Sequence, residues 1–232
     1  MNATAEMIEI SEHYTPEEHE RWRILSERQM SVLEDHACPA FREGLDILGI
    51  TPEIIPDLGE VEERLYRETG WRIVRVDRAM KNSVWLCKNW AQKLWPVCPW
   101  LRPAKHMEFA PSPDISHDRL HLAVLGNRGF ASFVHRLGIE GVQSSPERCK
   151  ALVRLYFRTG ETGLIHTEKG LRIYGAALAS SHGEAAHCLG ASAKRLPFNV
   201  ELMMKTPIDD GRYQDAYFEI ESFEQLARLQ FP

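Results

Sequence analysis

His117 and His121 stand four residues apart in the stretch Pro113-Asp-Ile-Ser-His-Asp-Arg-Leu-His121. On an α-helix, at about 3.6 residues per turn, that spacing separates them by only ~40° around the axis, so both imidazoles leave one face. Imidazoles held this way suit a transition metal, and they suit equally a solvated or hydrogen-bonded helix face. A metal needs a third ligand, and the candidate is Glu161, at the end of a helical run expected from Ser145 to Thr159. Two His and one carboxylate cover one face of an octahedral ion and leave the opposite positions for oxygen and water, the arrangement of non-haem Fe(II) oxygenases.

The elements that must position these residues are mostly helices. Thr15-Pro16-Glu17-Glu18 is a capping box with proline at the first helical position, opening a long helix to about Glu34. Pro39 to Leu48 is a second helix, stopped by Gly49; Asp57 caps a third over Leu58 to Thr69, stopped by Gly70. Trp71 to Val76 alternates with period two and reads as a short strand. A tryptophan-rich helix from about Asn82 to Leu94 precedes a proline-broken loop, Pro96 to Pro113; Trp85, Trp90, Trp95 and Trp100 read as core packing. After the histidine pair, Gly126 to Gly129 breaks the helix and Phe130 to Leu137 resumes it. Residues 163–167 and 171–175 flank Glu168-Lys-Gly170 as a hairpin. Ala176 to Leu189 reads as one helix of small residues, Ala216 to Glu221 as a last strand, and Ser222 as the cap of a closing helix running almost to Pro232. The fold class is therefore mainly α, with a few short strands and with helices wrapped around a central site.

At 232 residues the chain is long enough for one sizeable core. A net charge of -5 supplies no basic field for nucleic acid. No apolar run approaches the ~20 residues of a membrane span, and the acidic start lacks the pattern of a signal peptide. The five cysteines, at 38, 87, 98, 149 and 188, form no Cys-x-x-Cys pair and read as reduced thiols, consistent with a cytoplasmic protein.

Several blocks, in order, resemble one family, the pterin-dependent aromatic amino acid hydroxylases, and within it the bacterial single-domain phenylalanine hydroxylases. They are Tyr14-Thr-Pro-Glu-Glu-His with Trp22 and Arg28-Gln29, Ile55-Pro-Asp-Leu, Thr69-Gly-Trp-Arg, Trp100-Leu-Arg-Pro, Pro113-Asp-Ile-Ser-His-Asp, Arg154-Leu-Tyr, Gly170-Leu-Arg-Ile-Tyr-Gly-Ala, Ser180-Ser, and Tyr217-Phe-Glu-Ile-Glu-Ser-Phe-Glu-Gln-Leu. The resemblance implies a helical basket around a mononuclear iron, with residues 1–13 a tail and 14–232 a single catalytic domain. It implies Fe(II) and a tetrahydropterin of the tetrahydrobiopterin kind, used with O2 to hydroxylate the ring of an aromatic amino acid, phenylalanine first and tryptophan next. By position, His117, His121 and Glu161 match the iron ligands. Arg102 matches the arginine that holds the substrate carboxylate, with Asp114 steadying it and with Ser180 and Phe157 also on the substrate side. Asp118 is a candidate on the pterin side, as is Trp85 when the local alignment is shifted by one residue, and Tyr156 and Glu184 fall behind the ligands. The chain lacks the regulatory extension and tetramer-forming helix of animal members, so a monomer or weak dimer is expected.

The chain also departs from the pattern. The family spaces its two histidines five apart, whereas these are four apart with Arg119 between them; Gly160 and Thr162 replace bulky neighbours of Glu161, and Ala110, Ala177 and Phe157 leave less aromatic packing in the pocket. Two other readings fit these departures: a member of specialised metabolism that oxidises another aromatic substrate or ring position, and a non-catalytic homologue that has lost its metal.

Overall fold

Helix α1, Pro16–His36, begins as its capping box dictates: the Thr15 hydroxyl accepts from Glu18 N, and the Glu18 carboxylate accepts from Thr15 N at 2.8 Å. Its buried stripe, Trp22, Leu25, Gln29, Val32 and Leu33, follows the helical period and faces the interior. This computed structural model describes residues 14–77, 82–107, 113–208 and 212–232. The expectations for residues 1–13 and for Ala110 lie outside them. Helices α2 (Pro39–Leu48) and α3 (Leu58–Thr69) end at Gly49 and Gly70, both at positive φ, as expected of glycine at a helix C-terminus.

The centre of the fold is α5, Ile115–Leu125. Every residue in it is buried except His117, which is half-buried. A helix buried on all sides must be surrounded, and α1, α2, α3, α6 (Arg128–Val142) and α8 (Ala176–Ser180) all pack on it, leaving a polar residue such as Arg119 to be met by a side chain from one of those neighbours. The approach of α2 is close enough to require glycine, since a Cβ on Gly44 would lie 2.0 Å from the Ala123 carbonyl oxygen.

Several expectations need correction. The tryptophan-rich helix, α4, spans Ser83–Ala91 and stops short of Leu94. Lys93 takes a left-handed φ of 55°, and Leu94–Val97 then forms a strand, β2, parallel to β1 (Arg72–Arg75), where a loop was expected. Pro96 is tolerated because both strands of a two-stranded sheet are edges, so its missing N–H can face outward. Helix α6 runs on to Val142, five residues beyond Leu137. The run from Ser145 divides into α7, Pro146–Tyr156, and a π-turn, Phe157–Glu161, closed by Thr162 N donating to Phe157 O at 3.0 Å. The expected helix 176–189 is two, α8 and α9 (His182–Leu189), because Ser181 is extended and caps α9 through Glu184 N.

The hairpin forms as expected from β3, Gly163–Thr167, and β4, Gly170–Ile173. It joins β6 (Tyr217–Ile220) and an unforeseen strand, β5 (Arg195–Pro197), in a mixed sheet of order β4-β3-β6-β5. Helix α10, Val200–Lys205, was also unforeseen, and the closing helix, α11, is only Phe223–Ala227.

Candidate metal centre

Asp114 fixes where α5 begins. Its carboxylate caps the helix through His117 N at 3.2 Å, accepts the Ser116 hydroxyl at 2.7 Å, and takes the Arg102 guanidinium in a fork, Nε at 2.8 Å and Nη2 at 2.9 Å. Burial works against the Asp114 carboxylate, but the Arg102 pairing and the hydroxyl outweigh it and hold the group below its ordinary range. Among the described residues Arg102 Nη1 has no partner, so the guanidinium keeps one free edge.

One turn into α5, His117 and His121 project from the same face, their Nε2 atoms 3.1 Å apart. Glu161, delivered by the π-turn, places Oε1 3.2 Å from His121 Nε2 and Oε2 3.7 Å from His117 Nε2. The extra residue of the π-turn rotates the end of α7 and ends it on Glu161, a common use of this irregularity at functional sites. All three donors lie within 4.8 Å of one another. Ligands ~2.1 Å from an ion and at right angles have donor atoms ~3 Å apart, so two of the three separations already match one face of an octahedron. Glu161 Oε2 is moreover buried with no hydrogen-bond partner, as a ligand oxygen is before its ion is counted. The residues therefore fit a divalent metal.

The outer nitrogens of both imidazoles are held. His121 Nδ1 lies 2.8 Å from the Tyr156 hydroxyl, and His117 Nδ1 lies 3.4 Å from the Ser180 hydroxyl, which donates in turn to Ala177 O at 2.9 Å. With Nδ1–H donating to each hydroxyl, both Nε2 lone pairs are aimed at the site. The break at Ser181 makes Ser180 the last residue of α8, which is how its hydroxyl reaches the ring. Gly160 explains how Tyr156 fits: a Cβ there would lie 2.5 to 2.8 Å from the tyrosine ring and hydroxyl. Burial drives His117 down to about 4, so its imidazole is neutral near pH 7, the form a metal requires. Burial also pulls His121 down, but the Glu161 charge and hydrogen bond prevail and raise it; the same attraction overcomes burial and lowers Glu161.

The other residues singled out in the sequence take the following places. Phe157 is half-buried at the first position of the π-turn. Asp118 is buried and accepts Cys98 N at 2.7 Å, and burial raises its carboxyl to about 7. Half-buried Trp85 packs against the small cluster formed by Val74, Val76 and Cys98. Glu184 does not reach the imidazoles. Its Oε1 accepts Gln214 N at 3.1 Å and the Tyr217 hydroxyl at 2.9 Å, and Gln214 is held in turn by Arg158 of the π-turn. Arg119 is not beside the site either. Two residues from each histidine, it sits ~200° around the helix, buried over the Trp22 ring and bonded to Gln29 Oε1. Trp95, taken as core alone, has its ring 5.1 Å from that of His121. Its spacing from the ligands carried no signal in the sequence, because β2 brings it in from another element.

Residues 4–230 match the model of the biopterin-dependent aromatic amino acid hydroxylases. The chain belongs to that family. It is 36% identical over 218 residues, 93% of this chain and 73% of the relative, to a phenylalanine-4-hydroxylase of Chromobacterium violaceum. It is 31% identical to human tyrosine 3-monooxygenase, of which it covers 40%. The crystal structure of the Chromobacterium violaceum enzyme with iron(III) and 7,8-dihydrobiopterin superposes with a TM-score of 0.87 at 36% identity, covering 92% of this chain and 79% of the other. A cobalt-bound structure of the same enzyme gives 0.89 at 33% identity, covering 97% and 83%.

Proposed function

We propose that this protein is an Fe(II)- and tetrahydropterin-dependent monooxygenase that hydroxylates the ring of phenylalanine with O2. The observation that carries it is the His117, His121 and Glu161 group, His121 buried and the other two half-buried, with all donor atoms within 4.8 Å and one carboxylate oxygen orphaned. These three residues hold the iron, and the iron with the reduced pterin supplies the activation of O2. The chain's own residues bind and orient. Arg102, braced by Asp114 and with Nη1 open, receives the substrate carboxylate. Ser180 and Phe157 line the substrate side, Asp118 and Trp85 the pterin side, while Tyr156 steadies His121 and Glu184 braces the π-turn through Gln214 and Arg158. Phe157 and Ala177, smaller than the residues common at these pocket positions, favour tryptophan as the second substrate. The reading extends to a cytoplasmic enzyme acting as a monomer or weak dimer; for the compartment, the support is that the five cysteines are all free and buried.

The test is an anaerobic Fe(II) titration followed by O2 and reduced pterin with phenylalanine, tyrosine and tryptophan in turn, the products read by mass. One iron per chain and a product one oxygen heavier is the expected result, lost in Glu161→Ala with folding retained. Iron bound with no product from any of the three would move the assignment to another aromatic substrate.

A further inference from the structure

Three tryptophans lie in contact behind His121, Trp95 against its ring and Trp90 and Trp71 each packed on Trp95. The Trp95 ring lies 5.1 Å from His121, Trp90 stacks on Trp95 at 6.1 Å and 7°, and Trp71 meets Trp95 edge-on at 6.2 Å. Tyr156 closes the row against the ligand, 4.8 Å from Trp90 and 5.7 Å from Trp95. All three indoles are buried, and among the described residues Trp71 Nε1, Trp90 Nε1 and Trp95 Nε1 have no hydrogen-bond partner. Buried indole N–H groups normally find an acceptor, and each orphan costs about 1–3 kcal/mol of desolvation. Packing alone does not call for three adjacent indoles with unmet donors, since phenylalanine would fill such space without that cost.

Their common property is chemical. Indole is among the most readily oxidised side chains, and losing an electron makes its N–H acidic. With no base beside that N–H, the proton stays, and the electron vacancy is not trapped as a neutral radical on one ring. It remains free to pass to the next. Tyr156 is a poor stopping point for the same reason: its oxygen faces His121 Nδ1, whose N–H donates to it and offers no base for the phenol proton.

We propose that Trp95, Trp90 and Trp71 form a one-electron relay that draws oxidising equivalents off the metal centre when it is oxidised with no substrate in place. This rests on the iron-monooxygenase reading for the source of the oxidant. In each step the metal centre gains one electron and Trp95 loses one, with no proton moved. Trp71 or Trp90 then refills Trp95, and a thiol- or ascorbate-class reductant in solution returns one electron to the row and releases its own proton to water. Trp71 is followed in the chain by Arg72, whose guanidinium lies 4.2 Å over the exposed ring of Tyr66, so this end of the row approaches the surface.

The test uses Fe(II)-loaded protein of measured iron content, challenged with hydrogen peroxide without pterin or amino acid. Reducing one peroxide to two waters takes two protons from solvent and two electrons; the loaded metal supplies the electrons first, and the row then returns electrons to it one at a time. Freeze-quench electron paramagnetic resonance is expected to show an indole radical, and peptide mass spectrometry to find added oxygen at Trp71 and Trp90 as well as Trp95. Trp71→Phe removes the remote station, and Trp90→Phe serves as the second variant should the first fail to fold. Each should concentrate oxidation on Trp95, His121 and Tyr156 and hasten loss of iron several-fold, while ascorbate protects the wild type more than the variants. A wild-type protein that holds iron but shows no indole radical, with damage confined to His121 and Tyr156 and variants that lose iron at the wild-type rate, would overturn the relay. Because the challenge needs no pterin or amino acid, an indole radical in a protein that hydroxylates nothing would sink the enzymatic reading alone.

Discussion

Tyr156→Phe removes one oxygen from the protein and should weaken its hold on metal by 10- to 100-fold. The Tyr156 ring is clasped by Trp90, Trp95 and Phe130, and phenylalanine keeps all three contacts. What disappears is the 2.8 Å bond between the hydroxyl and His121 Nδ1. With Nε2 committed to the ion, Nδ1 must carry the proton, and that buried N–H is left without an acceptor, at a cost of about 1–3 kcal/mol. Part of this falls on the metal-free protein, where His121 also bonds Glu161 at 3.2 Å, and only the remainder is read as affinity. The size agrees with the 10- to 100-fold losses typical when the partner of a ligating histidine is removed. Competition of the protein with a chelator for Fe(II) or Co(II), under anaerobic conditions, measures the difference directly. Thermal unfolding without metal should fall by only a few degrees, since the core is unchanged. A variant that binds within about twofold of wild type would show that the bond does not orient the ligand, and the tautomer argument would fail with it.

Other consequences can be checked alongside. Metal must displace a proton from His121, whose pKa Glu161 raises, but not from His117, held at about 4. Apparent Fe(II) affinity should therefore fall about tenfold per pH unit below the His121 pKa and level off above it; a flat profile across that range would show that His121 is not the competing group. Gly160→Val drives a branched side chain into the Tyr156 ring and should cost about 1–3 kcal/mol of stability, with metal affinity dropping as in Tyr156→Phe. Comparing the two by denaturant melts and titration separates crowding from the lost bond, and unchanged binding in the valine variant would place Tyr156 outside the ligand's support. Replacing the buried Arg119 and its partner together, Arg119→Met with Gln29→Leu, exchanges an uncompensated charge for apolar packing and should leave stability equal or higher. Iron affinity should not move, because Arg119 faces away from the histidines; a loss of iron would refute that placement.

Much of this arrangement was legible before any coordinates. Caps and stops written in local sequence, such as the box at Thr15, Asp57 and the glycines at 49 and 70, mark helix ends accurately because they act within one turn. The shared face of His117 and His121 follows from helical spacing alone, whereas the capping of α5 by Asp114 emerged only in the structure. The misses share a different cause. Leu94–Val97 and Arg195–Pro197 are strands only because a partner strand lies beside them, and nothing within three or four residues specifies a partner. Helix 176–189 breaks at Ser181 because the serine side chain caps the following turn, a choice open to any serine in a weak helix.

Sequence alone determined the family, the mainly helical frame and the pairing of His117 with His121 on one helix face, since these depend on residue type, motif order and short-range spacing, and it offered Glu161 as the candidate third member. Tertiary structure decided how the trio is completed. It required a π-turn to swing Glu161 toward two histidines forty residues upstream, and a glycine at 160 to let Tyr156 reach His121. It also turned Arg119 to the far side of α5 and brought Trp95 from β2 against a ligand. Such contacts join residues far apart in the chain, and their geometry is settled by which side chains fill the core together.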